Sequence, residues 1–382
     1  MPGFLTSEEA SRRLGVKLPT IYAYVSRGIL ASHRSPDGRR SLFDVEEVEA
    51  LARRSRTGQR SEGRLATVAT SVTELRPEGP LYRGVPATTL VTQPFEDVAD
   101  LLWQVGPGPW VAAQLGPVPV TAVDDRLRWA VVMSGSVDPL RSDLRDVAVA
   151  QAARTIVSTM VASLEGPPHD PAEAQPSIAD RLTARLVASP DPATVAAVGA
   201  SLVLLADHEL ASSTVGVRIA ASTRSDVYDA VLAGLGVVNG PLHGGASRQA
   251  HLLLADAEWR GSAAALDDVL RWQGLAPGFG QFLYEAGDPR FGALFPLIER
   301  LVPADRLEVV ASVIGLAADR GFPAPNIDLG LAALSFGAGM AADAGGVLFK
   351  IARVVGWVAH YLEELTETPL RYRARAVYVT GK

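Results

Sequence analysis

From about residue 65 onward, apolar positions recur at the three- and four-residue spacing of helices. Glycine and proline interrupt this periodicity, and it contains none of the Val/Ile/Thr-rich runs that are typical of strands. The pattern therefore predicts an all-helical body over residues 65–382. Residues 163–177 contain four prolines, which predicts an exposed loop there. We expect His169, which lies in this loop, to contact water rather than a ligand.

The first 55 residues have a different pattern. Thr6 and Glu9 form a capping box that predicts a first helix, and a second helix follows over residues 19–26. Residues 33–43 are typical of a hairpin with basic residues on both sides of its turn. A second capping box then predicts a third helix. Two short helices joined by a Gly-containing turn form a helix-turn-helix pattern.

This order of elements resembles the small winged-helix DNA-binding domains of the MerR and excisionase type. The resemblance assigns residues 1–55 to a winged helix-turn-helix domain and residues 56–64 to a linker. It implies duplex DNA as a partner, with one helix in the major groove and the wing on phosphates. The side chains that it implies for these contacts are Thr20, Tyr22, Tyr24, Arg27, Arg34, Arg39 and Arg40. The alternative is a solvated helical cap that binds nothing, or binds a protein.

Composition and charge add limits to this picture. The mean hydropathy of +0.15 and the 48% hydrophobic content indicate a globular protein, and 382 residues predict two or three domains. The longest uncharged apolar runs are too short to cross a bilayer, and there is no cysteine. We therefore expect a cytoplasmic protein without disulfides or thiolate chemistry. Residues 1–64 carry 12 basic and 8 acidic residues, whereas the remainder carries 24 and 34, which indicates two separate tasks.

The candidate chemistry lies in a few unusual segments. His243 stands between glycines in VNGPLHGGA (238–246), where a backbone can approach a ligand closely. A lone histidine is more often a buried, hydrogen-bonded core residue. Here it is followed by PGFGQFLYEAGDPR (277–290), PNIDLG (325–330) and LFKIARVVGWVAH (348–360). GPLYRG and LADHELASSTVGVRIAAST lie upstream, at 79–84 and 205–223.

In this order the segments resemble the signature of citrate synthases, the enzymes that condense acetyl-CoA with oxaloacetate. The resemblance covers roughly residues 64–382 and implies an all-α fold of two domains. The large domain would comprise residues 65–245 and 335–382, and the small domain residues 246–334. It implies an acyl-CoA as co-substrate, with no metal and no permanently bound cofactor. Gly278, Phe279 and Gly280 would contact the acyl-CoA.

The resemblance also implies three positions for the chemistry. Asp328 matches the carboxylate that removes the methyl proton, although an aspartate in this context is also typical of a helix N-cap. His243 matches the donor to the thioester oxygen, for which a neutral imidazole held at its second nitrogen by the backbone is expected. Gln281 stands where the family has the histidine that polarises the ketone. A glutamine can donate a hydrogen bond but cannot become cationic.

The remaining matches concern the dicarboxylate. His208 matches a second substrate-binding histidine, and Arg290, Arg353 and Arg373 match three arginines that hold the carboxylates of oxaloacetate. In the family the last of these reaches into the site of the other subunit, which implies a homodimer. Two functions are consistent with these residues. One is a condensing enzyme that is slow, or that prefers another substrate, because of Gln281; the other is a DNA-binding regulator that uses the same fold as a metabolite sensor. A pure structural scaffold has little support.

Overall fold

The computed structural model describes residues 4–14, 30, 33–34, 41–45, 47–48, 68–166, 176–240, 243–273, 276–281, 283–284 and 287–373. Its internal contacts divide the chain into two compact units, Met1–Ala69 and Thr70–Lys382. The boundary between a large and a small domain within the second unit remains a prediction, as do the ends of the linker.

The first unit contains a short sheet and a helix. Strands β1 (Phe4–Thr6), β3 (Ser41–Asp44) and β2 (His33–Arg34) form an antiparallel sheet in that order, and helix α1 spans Ser7–Leu14. The capping box is confirmed, because the Glu9 carboxylate accepts from the Thr6 N–H and the Thr6 hydroxyl accepts from the Glu9 N–H. The hairpin flanks are also as predicted, whereas β1 was not foreseen.

The second unit begins with three short antiparallel strands, β4 (Thr73–Arg76), β5 (Gly79–Tyr82) and β6 (Val85–Pro86). The prediction of an all-helical body was wrong for this segment. Strands of two to four residues with Gly and Pro in them carry no alternating β-branched run from which they could be recognised. A 3₁₀ turn at Ala87–Thr89 follows them.

The other regular elements of the described second unit are helices, as predicted. The helices are α2 Phe95–Trp103, α3 Val123–Val137, α4 Asp146–Ser163, α5 Ile178–Leu186, α6 Pro192–Leu205, α7 Ser212–Ser222, α8 Val227–Val238, α9 Ala246–Arg260, α10 Ser262–Gln273, α11 Pro289–Leu301, α12 Ala304–Asp319, α13 Ile327–Gly337 and α14 Ala344–Leu365. Of the proline-rich loop, the structure describes only the ends, and His169 lies outside the described residues.

Helix α14 forms the centre of this unit. Almost all of its 22 residues are buried, and it packs against α2, α4, α6, α7 and α8. Gly356 allows its closest approach, because a Cβ there would collide with Asp207 and with the carbonyl of Ala206. The segment that follows α6 is thereby pressed against α14. The candidate residues lie in segments next to the packed helices of this unit. These segments are residues 206–211 after α6, residues 239–245 after α8, and the first turns of α11 and α13.

Candidate active site

Asp328 lies in the first turn of α13. The helix is capped by Asn326, whose side-chain oxygen accepts from the N–H groups of Asp328 and Leu329 at 3.0 and 3.4 Å. Asp328 is therefore not the N-cap, and its carboxylate has another task. Burial raises the pKa of Asp328 to about 6, an effect that the nearby Arg290 reduces. The side chain is a stronger base than an aspartate in water.

The Gly278–Phe279–Gly280 segment is fixed against the residues before α13. The Gly278 carbonyl accepts from the Asn326 N–H at 2.9 Å, and the Gly280 N–H donates to the Ala324 carbonyl at the same distance. Gly278 has a φ of +86°, and a Cβ on it would lie 2.8 Å from the side chain of Leu329. Only glycine meets both conditions without strain. The segment proposed for acyl-CoA therefore lies directly against the helix that carries Asp328.

His243 is held through Ser213, a partner that the sequence did not predict. Its ring Nε2 lies 2.9 Å from the Ser213 hydroxyl, which also accepts from the Trp357 indole N–H at 3.2 Å. A hydroxyl that accepts from Trp357 can donate its own proton to Nε2, and in that arrangement the ring proton of His243 is on Nδ1. Burial and the positive charge of Arg353 lower the pKa of His243, so the imidazole is neutral at pH 7.

His208 is held in a similar way by an aromatic partner. Its Nε2 lies 2.9 Å from the Tyr284 hydroxyl, and the two rings meet edge to face. Burial, Arg290 and Arg353 place the pKa of His208 well below its ordinary 6.5. A second neutral imidazole thus lies near both arginines.

Arg290 is buried and locked to the start of its own helix. Asp288 caps α11, and its carboxylate accepts from Nε and Nη2 of Arg290 at 3.0 and 2.8 Å. The same carboxylate accepts from the Ile327 N–H at 3.1 Å. Asp288 therefore joins the first turn of α11 to the first turn of α13. The pairing fixes the guanidinium in one orientation beside Asp328.

Arg353 is buried in the middle of α14, with 1% of its surface exposed. Its Nε donates to the Leu205 carbonyl at 2.8 Å, and its guanidinium stacks on Phe349. Within the described residues it forms no ion pair, and burial lowers its pKa. A buried cation without a carboxylate partner is costly unless an anion binds beside it. The position of Arg353 therefore fits an anionic ligand.

Electrostatic effects show which of the predicted residues lie together. Arg353 affects the pKa of His208, His243 and Asp328, and Arg290 affects two of the three. Two imidazoles and one carboxyl group from separate segments thus lie within electrostatic reach of one or both of the two guanidinium groups. A base, two neutral imidazoles and two cations in one place can bind a carboxylate and remove a proton beside it.

Gln281 belongs to the same surroundings through its backbone. It follows Gly280, which is bonded to Ala324, and its carbonyl accepts from the Tyr284 N–H at 3.2 Å. Its side chain is half-buried. The residue thus stands between the segment that precedes Asp328 and the tyrosine that holds His208.

Two groups of predicted residues are not part of this cluster in the described structure. Arg373 is exposed near the end of the described chain, where its N–H donates to the Leu370 carbonyl at 3.2 Å. Of the residues predicted to contact DNA, Arg34 lies in β2 opposite Ser41. The others, Thr20, Tyr22, Tyr24, Arg27, Arg39 and Arg40, lie outside the described residues. Their roles remain predictions.

Two further negative findings apply to the part of the chain that the structure describes. It contains no group of three or more His, Asp and Glu side chains that could hold a metal ion. None of its helices has the length and apolar character needed to cross a membrane.

Comparison with known proteins identifies both units. The model of the citrate synthase C-terminal domain matches residues 111–375, and a helix-turn-helix domain model matches residues 4–56. Citrate synthase 2 of Bacillus subtilis is 31% identical over 50% of this chain and 52% of its own length. Citrate synthase of Saccharolobus solfataricus is 28% identical over 70% of this chain and 71% of its own length. 2-Methylcitrate synthase 2 of Corynebacterium glutamicum is 32% identical over 47% of this chain and 48% of its own length. The chain thus spans about half the length of two of these three relatives.

Solved structures agree on the fold. Citrate synthase from Thermotoga maritima superimposes with a TM-score of 0.68 over 85% of this chain and 96% of that one, at 22% identity. A ternary complex of Thermoplasma acidophilum citrate synthase with carboxymethyl coenzyme A and oxaloacetate gives a TM-score of 0.65 over 85% and 96%, at 20% identity.

Proposed function

Because this chain belongs to the citrate synthase family, we propose that it catalyses a citrate synthase-type condensation of an acyl-CoA, acetyl-CoA in the simplest case, with oxaloacetate or a related 2-oxo acid. The observation that carries the proposal is the cluster of the half-buried Asp328 with the buried Arg290 and Arg353, in which both guanidinium groups act on a carboxyl whose pKa is raised. The complex of the Thermoplasma enzyme with a coenzyme A derivative and oxaloacetate supports this choice of substrates.

The first step removes a proton from the thioester methyl group. With a pKa of about 6, Asp328 is ionised at neutral pH and yet more basic than a solvated aspartate. His243 donates its Nδ1–H to the thioester oxygen, where negative charge develops as the proton leaves. With the Ser213 hydroxyl donating to Nε2, the ring proton is on Nδ1, which is the tautomer that this step requires.

The second step forms the carbon–carbon bond. The enol or enolate carbon attacks the ketone carbon of the 2-oxo acid, whose carbonyl electron pair moves onto oxygen. The side-chain amide of Gln281 donates an N–H hydrogen bond to that oxygen. Because an amide does not act as a proton donor in acid catalysis, the oxygen finally takes its proton from water. Water then cleaves the thioester and releases the CoA thiol. Loss of a stabilising donor lowers kcat by a factor of about 10²–10³ in comparable sites. A neutral donor such as Gln281 retains part of this stabilisation.

The arginines and His208 hold the second substrate. Arg353 faces one carboxylate and Arg290 supports it, while His208, neutral and fixed by Tyr284, contacts the 2-oxo acid. Arg373 completes the clamp from the partner subunit of a homodimer. This last assignment rests on the family resemblance and on the exposed position of Arg373. The proposal places the reaction in the cytoplasm.

The function is tested by release of free thiol from acetyl-CoA in the presence of oxaloacetate, with purified full-length protein. The native protein is expected to release thiol only when both substrates are present. The Gln281→His variant is expected to be faster, because it adds a donor that can carry positive charge. If both proteins are inert, the enzyme proposal fails. If the native protein turns over and Gln281→His is slower, the substrate is a different 2-oxo acid.

The match of a helix-turn-helix domain to residues 4–56 favours a second candidate function. In this alternative, the protein is a DNA-binding regulator whose condensing fold senses the dicarboxylate or the acyl-CoA. Both candidates require ligand binding, but only the enzyme requires the base. A protein that binds oxaloacetate, releases no thiol and changes its DNA affinity with ligand would establish the regulator.

A further inference from the structure

A row of polar groups runs from the segment of His208 to the C-terminal segment, and its four central members, Asp207, His360, Arg218 and Glu364, are buried. Its members come from the loop after α6, from α7, from α14 and from the residues after α14. They are Asp207, His360, Arg218, Glu363, Glu364, Arg371 and Tyr372. None of them is among the residues assigned to the chemistry above. Such a row is costly to bury, so its arrangement calls for a reason.

At the site end, Asp207 holds a strained turn. Its carboxylate accepts from the Glu209 N–H at 3.0 Å and lies 3.3 Å from His360 Nε2. Glu209 has a φ of +56°, a left-handed conformation that costs energy for a residue other than glycine. His208 lies between these two residues. Its position therefore depends on where the Asp207 carboxylate is held.

In the middle, Arg218 fixes the protonation of His360. A guanidinium has only donors, and its Nη1 lies 2.9 Å from His360 Nδ1. Nδ1 must then be the acceptor, so the imidazole is neutral and its proton is on Nε2. That proton points to Asp207. Burial by itself raises the pKa of Asp207, but the hydrogen bond from the His360 N–H and the positive charge of Arg353 outweigh it, so the pKa of Asp207 is lowered.

At the far end, the row meets the C-terminal segment. The Arg218 Nε donates to Glu364 at 2.9 Å and to the Tyr372 hydroxyl at 3.2 Å. The fully buried Glu364 also accepts from Arg371 Nε at 2.7 Å and from the Tyr372 hydroxyl at 3.1 Å. The Leu370 N–H donates to the Ser222 carbonyl, which anchors the segment to the end of α7. Arg371 and Tyr372 directly precede Arg373.

We propose that Arg218 and His360 are positioning residues, through which docking of Arg371 and Tyr372 on Glu364 sets the position of His208. The inference rests on the proposed function in one respect, because it takes His208 as a contact of the 2-oxo acid. The segment that ends in Arg373 is then linked to the dicarboxylate site within its own chain. Weakening the far end of the row loosens the His208 turn without touching a substrate.

The first test changes Tyr372 to Phe, which removes one hydroxyl and leaves every charge in place. The KM for oxaloacetate is expected to rise about three- to tenfold, the net effect of one ordinary hydrogen bond, because the loss reaches His208 only through the row. The kcat should change less than the KM, and the KM for acetyl-CoA should stay the same. Tyr228→Phe is the matched control, since it loses a hydroxyl bonded to Asp138 at 2.8 Å, outside the row. If both variants give the same KM for oxaloacetate, the proposal is overturned.

The second test uses His360. Glutamine retains a neutral N–H donor and an acceptor, whereas leucine has neither, so His360→Gln should keep most of the oxaloacetate affinity that His360→Leu loses. Equal losses in the two variants would mean that His360 acts only by filling space.

A third measurement does not need turnover. In the ¹⁵N imidazole spectrum of the native protein, the His360 ring is expected to be neutral with its proton on Nε2. The His208 signals should shift in Tyr372→Phe and not in Tyr228→Phe. A cationic or Nδ1-protonated His360, or unchanged His208 signals, would overturn the inference. If the native protein neither binds nor converts oxaloacetate, the proposed function fails, while these spectra still decide the positioning.

Discussion

Replacing Asp328 by Asn separates a catalytic base from a structural carboxylate. The folded protein holds this carboxyl with a pKa of about 6, against an ordinary value of 3.8. Ionising it in the folded state therefore costs on the order of 3 kcal/mol relative to the unfolded chain. Asparagine has the same shape and no charge. The variant is expected to lose condensation activity and to be more stable than the native protein at pH 8.

The sign of the pH dependence follows from the direction of the shift. Because the folded pKa is raised, the folded state binds this proton more tightly than the unfolded chain between about pH 3.8 and pH 6. The native protein therefore loses stability at this site as the pH rises through that window. The advantage of Asp328→Asn should be greatest above pH 6, fall to about half near pH 5, and nearly vanish near pH 3.8.

Urea unfolding followed by tryptophan fluorescence measures this difference. All six tryptophans lie after residue 100, so the signal reports on the second unit. Asp305→Asn is a matched control, because Asp305 occupies the same position in the first turn of α12 but is exposed. Its loss should cost only a few tenths of a kcal/mol. An Asp328→Asn protein that is active, or that is no more stable than native at pH 8, would refute the reasoning.

Further predictions concern binding and pH. Arg353→Gln should weaken oxaloacetate binding about thirty- to hundredfold by calorimetry, because a buried charge-assisted contact is lost, and an unchanged Kd would exclude Arg353 from the site. Arg373→Ala should also weaken binding while the thermal unfolding midpoint stays the same; full affinity would contradict the shared site. The kcat/KM of the native protein should fall about tenfold per pH unit below pH 6, as Asp328 is protonated, and a profile flat down to pH 5 would assign the base elsewhere. The full-length chain should be retained on duplex DNA at about 50 mM salt and released at about 200 mM, and no retention at low salt would favour a protein-binding role for residues 1–55.

Local signals in the sequence predicted local structure well. The Thr6–Glu9 capping box gave the start of α1, and helical periodicity gave the character of the second unit. The strands β4–β6 escaped because short segments containing Gly and Pro have no alternating pattern to detect. The motif resemblance singled out candidate residues in separate segments, and in the structure His208, His243 and Asp328 lie within electrostatic reach of Arg290 or Arg353.

The partners that hold these residues could not be predicted, since they come from distant parts of the chain. Ser213 lies 30 residues before His243, and Tyr284 lies 76 residues after His208. No spacing rule links such pairs, because their contact arises only when helices pack. Asp288 was within reach of the sequence, as an aspartate before Pro289 is typical of a helix N-cap. Its second task, tying Arg290 to the start of α13, required the fold.

Formation of the carbon–carbon bond is followed by isotope labelling. Full-length protein is incubated with acetyl-CoA labelled with ¹³C at the methyl carbon and with unlabelled oxaloacetate. The label is followed by NMR while free thiol is counted. We expect the label in a methylene carbon of citrate, with one thiol released per citrate formed, and no labelled citrate with Asp328→Asn. Thiol released with the label recovered only in acetate would show hydrolysis without condensation, and would contradict the account.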